Sequence, residues 1–206
     1  MKEKDIQILI KKFRVPENIV RHMEKVAVLS LFLGEKLVEK GEKVDLELLN
    51  ASARLHDLLK LCDFQDISHA FNSSSFKKRD KIFWQKIIKK YHKYGHITAA
   101  YKFFNEIGEP EMAEIIKKHD YLSPVAPDKK DRPVTWEEKI LYYADKRILH
   151  DRLVSLKERL KDGRKRYHGD KISPEDKAVE IKLYRLEKEI LKKAGVSQKD
   201  ISGLFS

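Results

Sequence analysis

Five predicted helices each carry an ionisable residue where an apolar one belongs. At helical spacing His22 shares a stripe with Val26, Leu29 and Leu33. His56, with Asp57 beside it, closes the stripe of Leu48, Leu49, Ser52 and Ala53. His96 leads Ala99, Ala100 and Phe103, His119 follows Met112, Ile115 and Ile116, and Asp145 accompanies Leu141 and Tyr142. One such His is ordinarily a core residue with a hydrogen-bond partner, because an unpartnered buried polar group costs free energy. Several converging on one core require a very dense hydrogen-bond network or a cation. Neutral imidazoles and carboxylates are ligands for divalent ions, here one or two of Fe, Mn, Co, Ni, Zn or Mg. Carboxylates also bridge ion pairs, and paired ions suit in-line displacement at phosphorus.

The elements that must position these residues are helices. Residues 4–14 form a short amphipathic helix; Pro16 ends it and opens a second, which runs to Glu39 and stops before Gly41. Asp45 caps the helix that bears His56. Residues 63–80, with Ser73-Ser74-Ser75, read as an irregular loop or lid, and 81–93 as helix. The His96 stripe is closed by Gly108 and restarts at Pro110. Pro124, Pro127 and Pro133 make 122–134 a long loop. Thr135-Trp-Glu-Glu138 is a capping box, expected to open a helix with Asp145, Ile148, Leu149 and Arg152 on one face, broken by the polar run 161–170. Ser173-Pro-Glu-Asp176 caps a last long helix that ends at Gly195. No strand alternation lasts beyond a few residues. The fold class is all-α.

The series His22, His56-Asp57, His96, His119, Asp145 resembles the HD-domain superfamily of metal-dependent phosphohydrolases. His56-Asp-Leu-Leu-Lys60 is similar to that family's HDxxK core. His96-Ile-Thr-Ala-Ala100, Gly108-Glu-Pro110 and Ile115-Ile-Lys-Lys-His119 are similar to its HDIG-type continuation, and Tyr143-Ala-Asp145 to its closing Asp motif. Ala99-Ala100 stands where relatives usually carry Gly-Ala. The resemblance spans roughly residues 17–152. It implies an HD-domain helical core over 1–152 and a helical extension over 153–206 packed on it. It also implies that His22, His56, Asp57 and Asp145 hold a first ion, and His96 and His119 a second, with Asp57 bridging. The subgroup with this ligand pattern includes hydrolases of symmetrical dinucleoside tetraphosphates.

The expected reaction is hydrolysis of a nucleotide or other small phosphate ester or phosphoanhydride, with a metal-bound hydroxide as nucleophile. Asp57 and Lys60 are the catalytic candidates. Lys60, four residues after His56, is expected to reach the substrate phosphate. Arg152, seven after Asp145 on the same helix face, is expected to grip a second phosphate. His92, one turn before His96, is a rival or additional ligand; His69, His150 and His168 read as surface residues. The inward faces of the extension are expected at Leu156, Leu160, Ile181, Tyr184 and Leu191. Arg164, Lys165 and Arg166 would then lie at the tip of a hairpin, nearly 30 Å from Asp145 at roughly 1.5 Å per residue.

Composition narrows the partners. Hydrophobic residues at 41%, charged residues at 37% and a formal charge of +11 describe a solvated, basic chain suited to an anionic ligand. The single Cys62 excludes an intrachain disulfide and Cys-based zinc spacings. No secretory signal and no membrane-spanning apolar run is visible, so a cytoplasmic location and no membrane partner are expected. The basic stretch Gly163–His168 could grip nucleic acid, but a charged hairpin between two helices is the preferred reading of it; the expected partner is a small phosphorylated substrate, foremost a nucleotide. Two other readings stay open: a diiron HD-type oxygenase, and a non-catalytic nucleic-acid or protein-binding module with a structural metal. Substrate specificity is expected in the loops 63–80 and 122–134, which carry no recognisable motif; oligomeric state is not encoded in any.

Overall fold

A computed structural model of the chain describes residues 1–64, 78–169 and 171–205. Among these the fold is all-α apart from one tiny hairpin. In chain order the helices are α1 (Glu3–Lys12), α2 (Glu17–Glu39), α3 (Leu46–Leu55), α4 (Lys78–Tyr91), α5 (Gly95–Glu106), α6 (Pro110–Lys117), α7 (Trp136–Asp145), α8 (Leu156–His168), α9 (Pro174–Ala194) and α10 (Gln198–Gly203). Strands β1 (Ile148–Leu149) and β2 (Arg152–Leu153) pair antiparallel between α7 and α8. The 122–134 stretch holds only two 3-10 turns, as its prolines require.

Side chains start and stop the helices. Asp45 accepts from the Leu48 N–H at the head of α3, and the Thr135–Glu138 and Ser173–Asp176 capping boxes open α7 and α9. Gly195, at φ +68°, ends α9 in the left-handed conformation that glycine adopts at least cost. Glu138 does more than cap. It accepts from the backbone of Val134 and Thr135 and takes the buried ammonium of Lys118 at 2.6 Å, which ties α7 to the turn that bears His119. Removing one partner of a buried ion pair strands the other charge. Glu138→Ala is therefore expected to lower unfolding free energy by about 3–5 kcal/mol, measured by denaturant titration.

Two apolar clusters share α3 as their common wall. Ala51 and Leu55 face the cluster built from α1, α4, α5 and α6, which includes Trp84 and Phe104. Leu49 and Ala53 face the other, built from α2, α7, α8, α9 and α10, which includes Leu29, Tyr142, Leu183 and Ile201. His56 caps the C-terminal end of α3, and so stands at the seam between the clusters.

Four expectations are corrected here. The helix through Asp145 does not continue to Arg152. Arg147 turns back: its Nε donates to the Val154 carbonyl, while its Nη1 reaches Tyr143, Glu187 and Gln198. That tertiary network outweighs the local propensity to continue the helix, and the chain reverses in the β1–β2 hairpin at His150, whose φ is +58°. Consequently the run after Lys161 does not break a helix but belongs to α8, which the hairpin sends back across the core instead of outward. Arg164 and Arg166 therefore line the same cleft as Asp145 rather than a remote tip. On α9 the inward face is Val179, Leu183, Ile190 and Ala194, whereas Ile181 and Tyr184 are exposed. The lid expected over 63–80 falls mostly on residues 65–77, outside the described ones; Lys78–Asp80 are helical. None of the described helices is long and apolar enough to cross a membrane.

Candidate metal centre

Four imidazoles are held the same way round. His22, from α2, sets its Nδ1 2.7 Å from the His150 carbonyl, which the left-handed hairpin residue turns inward. His56 Nδ1 lies 2.8 Å from the Ala53 carbonyl, and His119 Nδ1, just past α6, 2.5 Å from the Ile116 carbonyl. A carbonyl only accepts, so each Nδ1 carries the proton and each Nε2 is left as a lone pair. His96, at the head of α5, gives its Nδ1–H to Asp63 Oδ2 at 2.6 Å, while its backbone N–H donates to Asp63 Oδ1 at 2.8 Å.

All four lone pairs converge on two carboxylates. His22 Nε2 is 3.1 Å, and His56 Nε2 3.7 Å, from Asp145 Oδ1. Asp57 Oδ2 lies 3.7 Å from His56 Nε2 and 4.0 Å from His22 Nε2. Its other oxygen, Oδ1, lies 3.2 Å from His96 Nε2 and 3.7 Å from His119 Nε2, and those two nitrogens are 3.4 Å apart. Lone pair thus meets lone pair at His22, His56 and His119, while His96 Nε2 accepts from Lys60 Nζ at 3.3 Å; His56 Nε2 and Asp57 Oδ1 are buried without a hydrogen-bond partner. Only a proton or a cation between such atoms relieves them. Two ligands each about 2.1 Å from one ion are at most about 4.2 Å apart, so the spacings fit coordination. Among the described residues two groups satisfy this geometry: His22, His56 and Asp145; and Asp57, His96 and His119.

Neither a family model, a curated protein nor a solved structure matches the chain.

The charge balance also suits cation binding. Burial disfavours the Asp57 carboxylate, yet Lys60 and His56 outweigh it and hold the group well below its usual range. Asp145 is likewise held down against burial, first by Lys146, whose Nζ is 2.5 Å from its Oδ2. Burial pushes His119 down to about 4, so its lone pair is available at neutral pH. Burial also opposes charge on His56 and His96, but the neighbouring carboxylates raise both. Protons will therefore compete with a metal most strongly at those two positions.

Six metal-ligand candidates of the sequence reach this centre: His22, His56, Asp57, His96, His119 and Asp145. Lys60 does too, though from a 3-10 turn after α3 rather than from the helix itself; its Nζ sits 3.7 Å from Asp57 Oδ1 and 3.4 Å from Asp63 Oδ2. Arg152 does not. It is exposed on β2 and absent from the cleft lining, because the hairpin replaces the helical turns that would have stacked it over Asp145. The His150 side chain is exposed as expected, but its carbonyl orients His22. The side chains of His69, His92 and His168 lie outside the described residues.

Two contributors went unread in the sequence. Lys146 is buried, holds Asp145 and donates to the His119 carbonyl at 3.1 Å; its position directly after Asp145 was the available clue. Asp63 orients His96 and is itself held down to about 2: burial opposes its charge, but the hydrogen bond from His96 prevails. An Asn at 63 would put an amide N–H₂ against the Nδ1–H of His96 and favour the opposite tautomer, with a proton on Nε2. Asp63→Asn is expected to weaken metal binding at the Asp57–His96–His119 group by roughly 10–100-fold and to spare the other group. Metal titration by calorimetry checks this.

Proposed function

We propose that the chain is an HD-superfamily, metal-dependent phosphohydrolase acting on a nucleotide or another small phosphate ester or phosphoanhydride. In this reading His22, His56, Asp57 and Asp145 would hold one divalent ion, and His96 and His119 would hold a second together with Asp57. The observation that carries it is the split Asp57 carboxylate, one oxygen turned to each ligand group. The groups also open onto a cleft of about 800 Å³ whose lining includes Lys60, Arg159, Arg164 and Arg166. A structural metal site is ordinarily closed, whereas a catalytic one keeps an open side. The basic lining supports an anionic substrate over the oxygenase alternative, which would use the same donors.

When bound, such ions polarise phosphoryl oxygens and acidify water. The chain's own residues supply the rest. The cleft's cations raise the local concentration of an anionic substrate. Lys60, at the edge of the ligand cluster, is placed to take up charge that develops on a phosphoryl oxygen as water attacks phosphorus and the leaving P–O bond breaks. Asp63 and Lys146 keep His96 and Asp145 in register, so little reorganisation is needed during the reaction.

The test is hydrolysis of phosphomonoesters, cyclic nucleotides and nucleoside polyphosphates, with the products separated by chromatography, by chelator-stripped protein reloaded with each divalent ion in turn. Hydrolysis of at least one compound with at least one ion, and none after chelation, is expected. Protein that binds metal tightly yet hydrolyses none of the compounds would reject the reading.

A further inference from the structure

Arg159 is a second anomaly of the kind that marks the metal centre: a charged residue on an inward stripe. On α8 it shares a face with Leu156 and Leu160, which are 2% and 5% exposed, and with Gly163. The hairpin that reverses the chain at His150 lays this face along the wall of the metal cleft. A Cβ built on Gly163 would stand 3.8 Å from Arg159 Nη1, so the glycine leaves open the space beside the guanidinium.

The other cations of the cleft are engaged. Lys60 faces Asp57 and Asp63, and Lys146 holds Asp145. Arg164 pairs with Glu180, and Arg166 with Asp162 at 2.5 Å. Asp176, the carboxylate on the same wall, accepts from Tyr121 and from its own capping contact with Ser173. Among the described residues Arg159 has no ion pair and no hydrogen bond, and its Nε is buried without an acceptor. A half-buried guanidinium with nothing to neutralise it is costly, and an anionic group offering two oxygens to its fork removes that cost.

We infer that Arg159 is a second phosphate subsite, so that the substrate carries a phosphate in addition to the one presented to the metal ligands. The substrate class is thus an oligophosphate or a compound phosphorylated at two points, not a simple phosphomonoester. This rests on the phosphohydrolase reading for what happens at the metal ligands, but the binding of the distal phosphate is measurable without turnover.

The experiment is calorimetric titration of inorganic triphosphate into the full-length, chelator-treated protein, with folding of each variant checked by circular dichroism. Arg159→Ala is expected to weaken binding at least tenfold. Arg159→Lys, which keeps the charge and loses the fork, should fall between, and it decides the matter should the Ala variant fail to fold. In metal-loaded protein, the preference for a nucleoside triphosphate over a phosphomonoester should fall at least tenfold in Arg159→Ala, chiefly through KM. Triphosphate binding within twofold of wild type in both variants would overturn the subsite. Absence of hydrolysis by the wild-type protein would sink the hydrolase reading alone, since the calorimetry still decides the role of Arg159.

Discussion

Asp57→Ala is expected to strip both ions from the chain and to lower kcat/KM for phosphate release at least roughly a thousandfold, about 4 kcal/mol of transition-state stabilisation. The reason is geometric. Asp57 contacts all four Nε2 atoms, with Oδ2 3.7 Å from His56 and Oδ1 3.2 Å from His96. Without it the His22–His56–Asp145 group keeps one carboxylate, and the His96–His119 pair keeps none. The His96–His119 pair then has too few donors to hold an ion, and the first group loses its fourth ligand together with the negative charge that balances an ion there. Elemental analysis of the purified variant, beside its kinetics, checks the expectation. Full metal occupancy in Asp57→Ala would remove the bridging role.

Lys60→Ala should separate chemistry from metal binding. The Lys60 ammonium has no lone pair to offer a metal, and its charge faces the carboxylates at the edge of the cluster. Loss of a positioned cation beside a transferring phosphoryl group costs roughly a hundredfold in kcat, about 2.7 kcal/mol. The variant should keep its ions, with one condition. Against the effect of burial, Lys60 is the main influence that keeps Asp57 ionised. Removing it raises the Asp57 pKa, so proton competition for the site extends to higher pH; metal content is best compared at pH 8. Equal loss of metal and activity at that pH would make Lys60 part of the ligand shell's support instead.

The candidate ligands were legible because each interrupts an apolar stripe whose period survives folding. His22 falls inside α2 and Asp145 on the last turn of α7. His56 and His119 fall just past their helix ends, yet the adjacent turns keep them on the inward side. The course of the chain after Asp145 was not legible. It depends on Arg147 reaching Glu187 and Gln198, residues that become its neighbours only when α9 and α10 dock. Arg152, placed over the site by helical spacing, lost that position in the hairpin, and Arg159 gained one. Asp63 was hidden for another reason: it lies in a 3-10 turn with no periodicity, so nothing local marks the side chain that fixes His96. Positions set by one helix's period can be read locally; positions set by a chain reversal cannot.

The most direct test of the central claim is the electron paramagnetic resonance spectrum of the protein loaded with two equivalents of Mn(II). If Asp57 spans two ions, one against His22, His56 and Asp145 and the other against His96 and His119, the ions are close enough to couple. The spectrum should then show an exchange-broadened dinuclear signal that disappears in His119→Ala, leaving the six-line pattern of one isolated ion. Six-line signals from uncoupled ions in the fully loaded wild-type protein, or a single binding equivalent unaffected by His119→Ala, would contradict the two-ion centre.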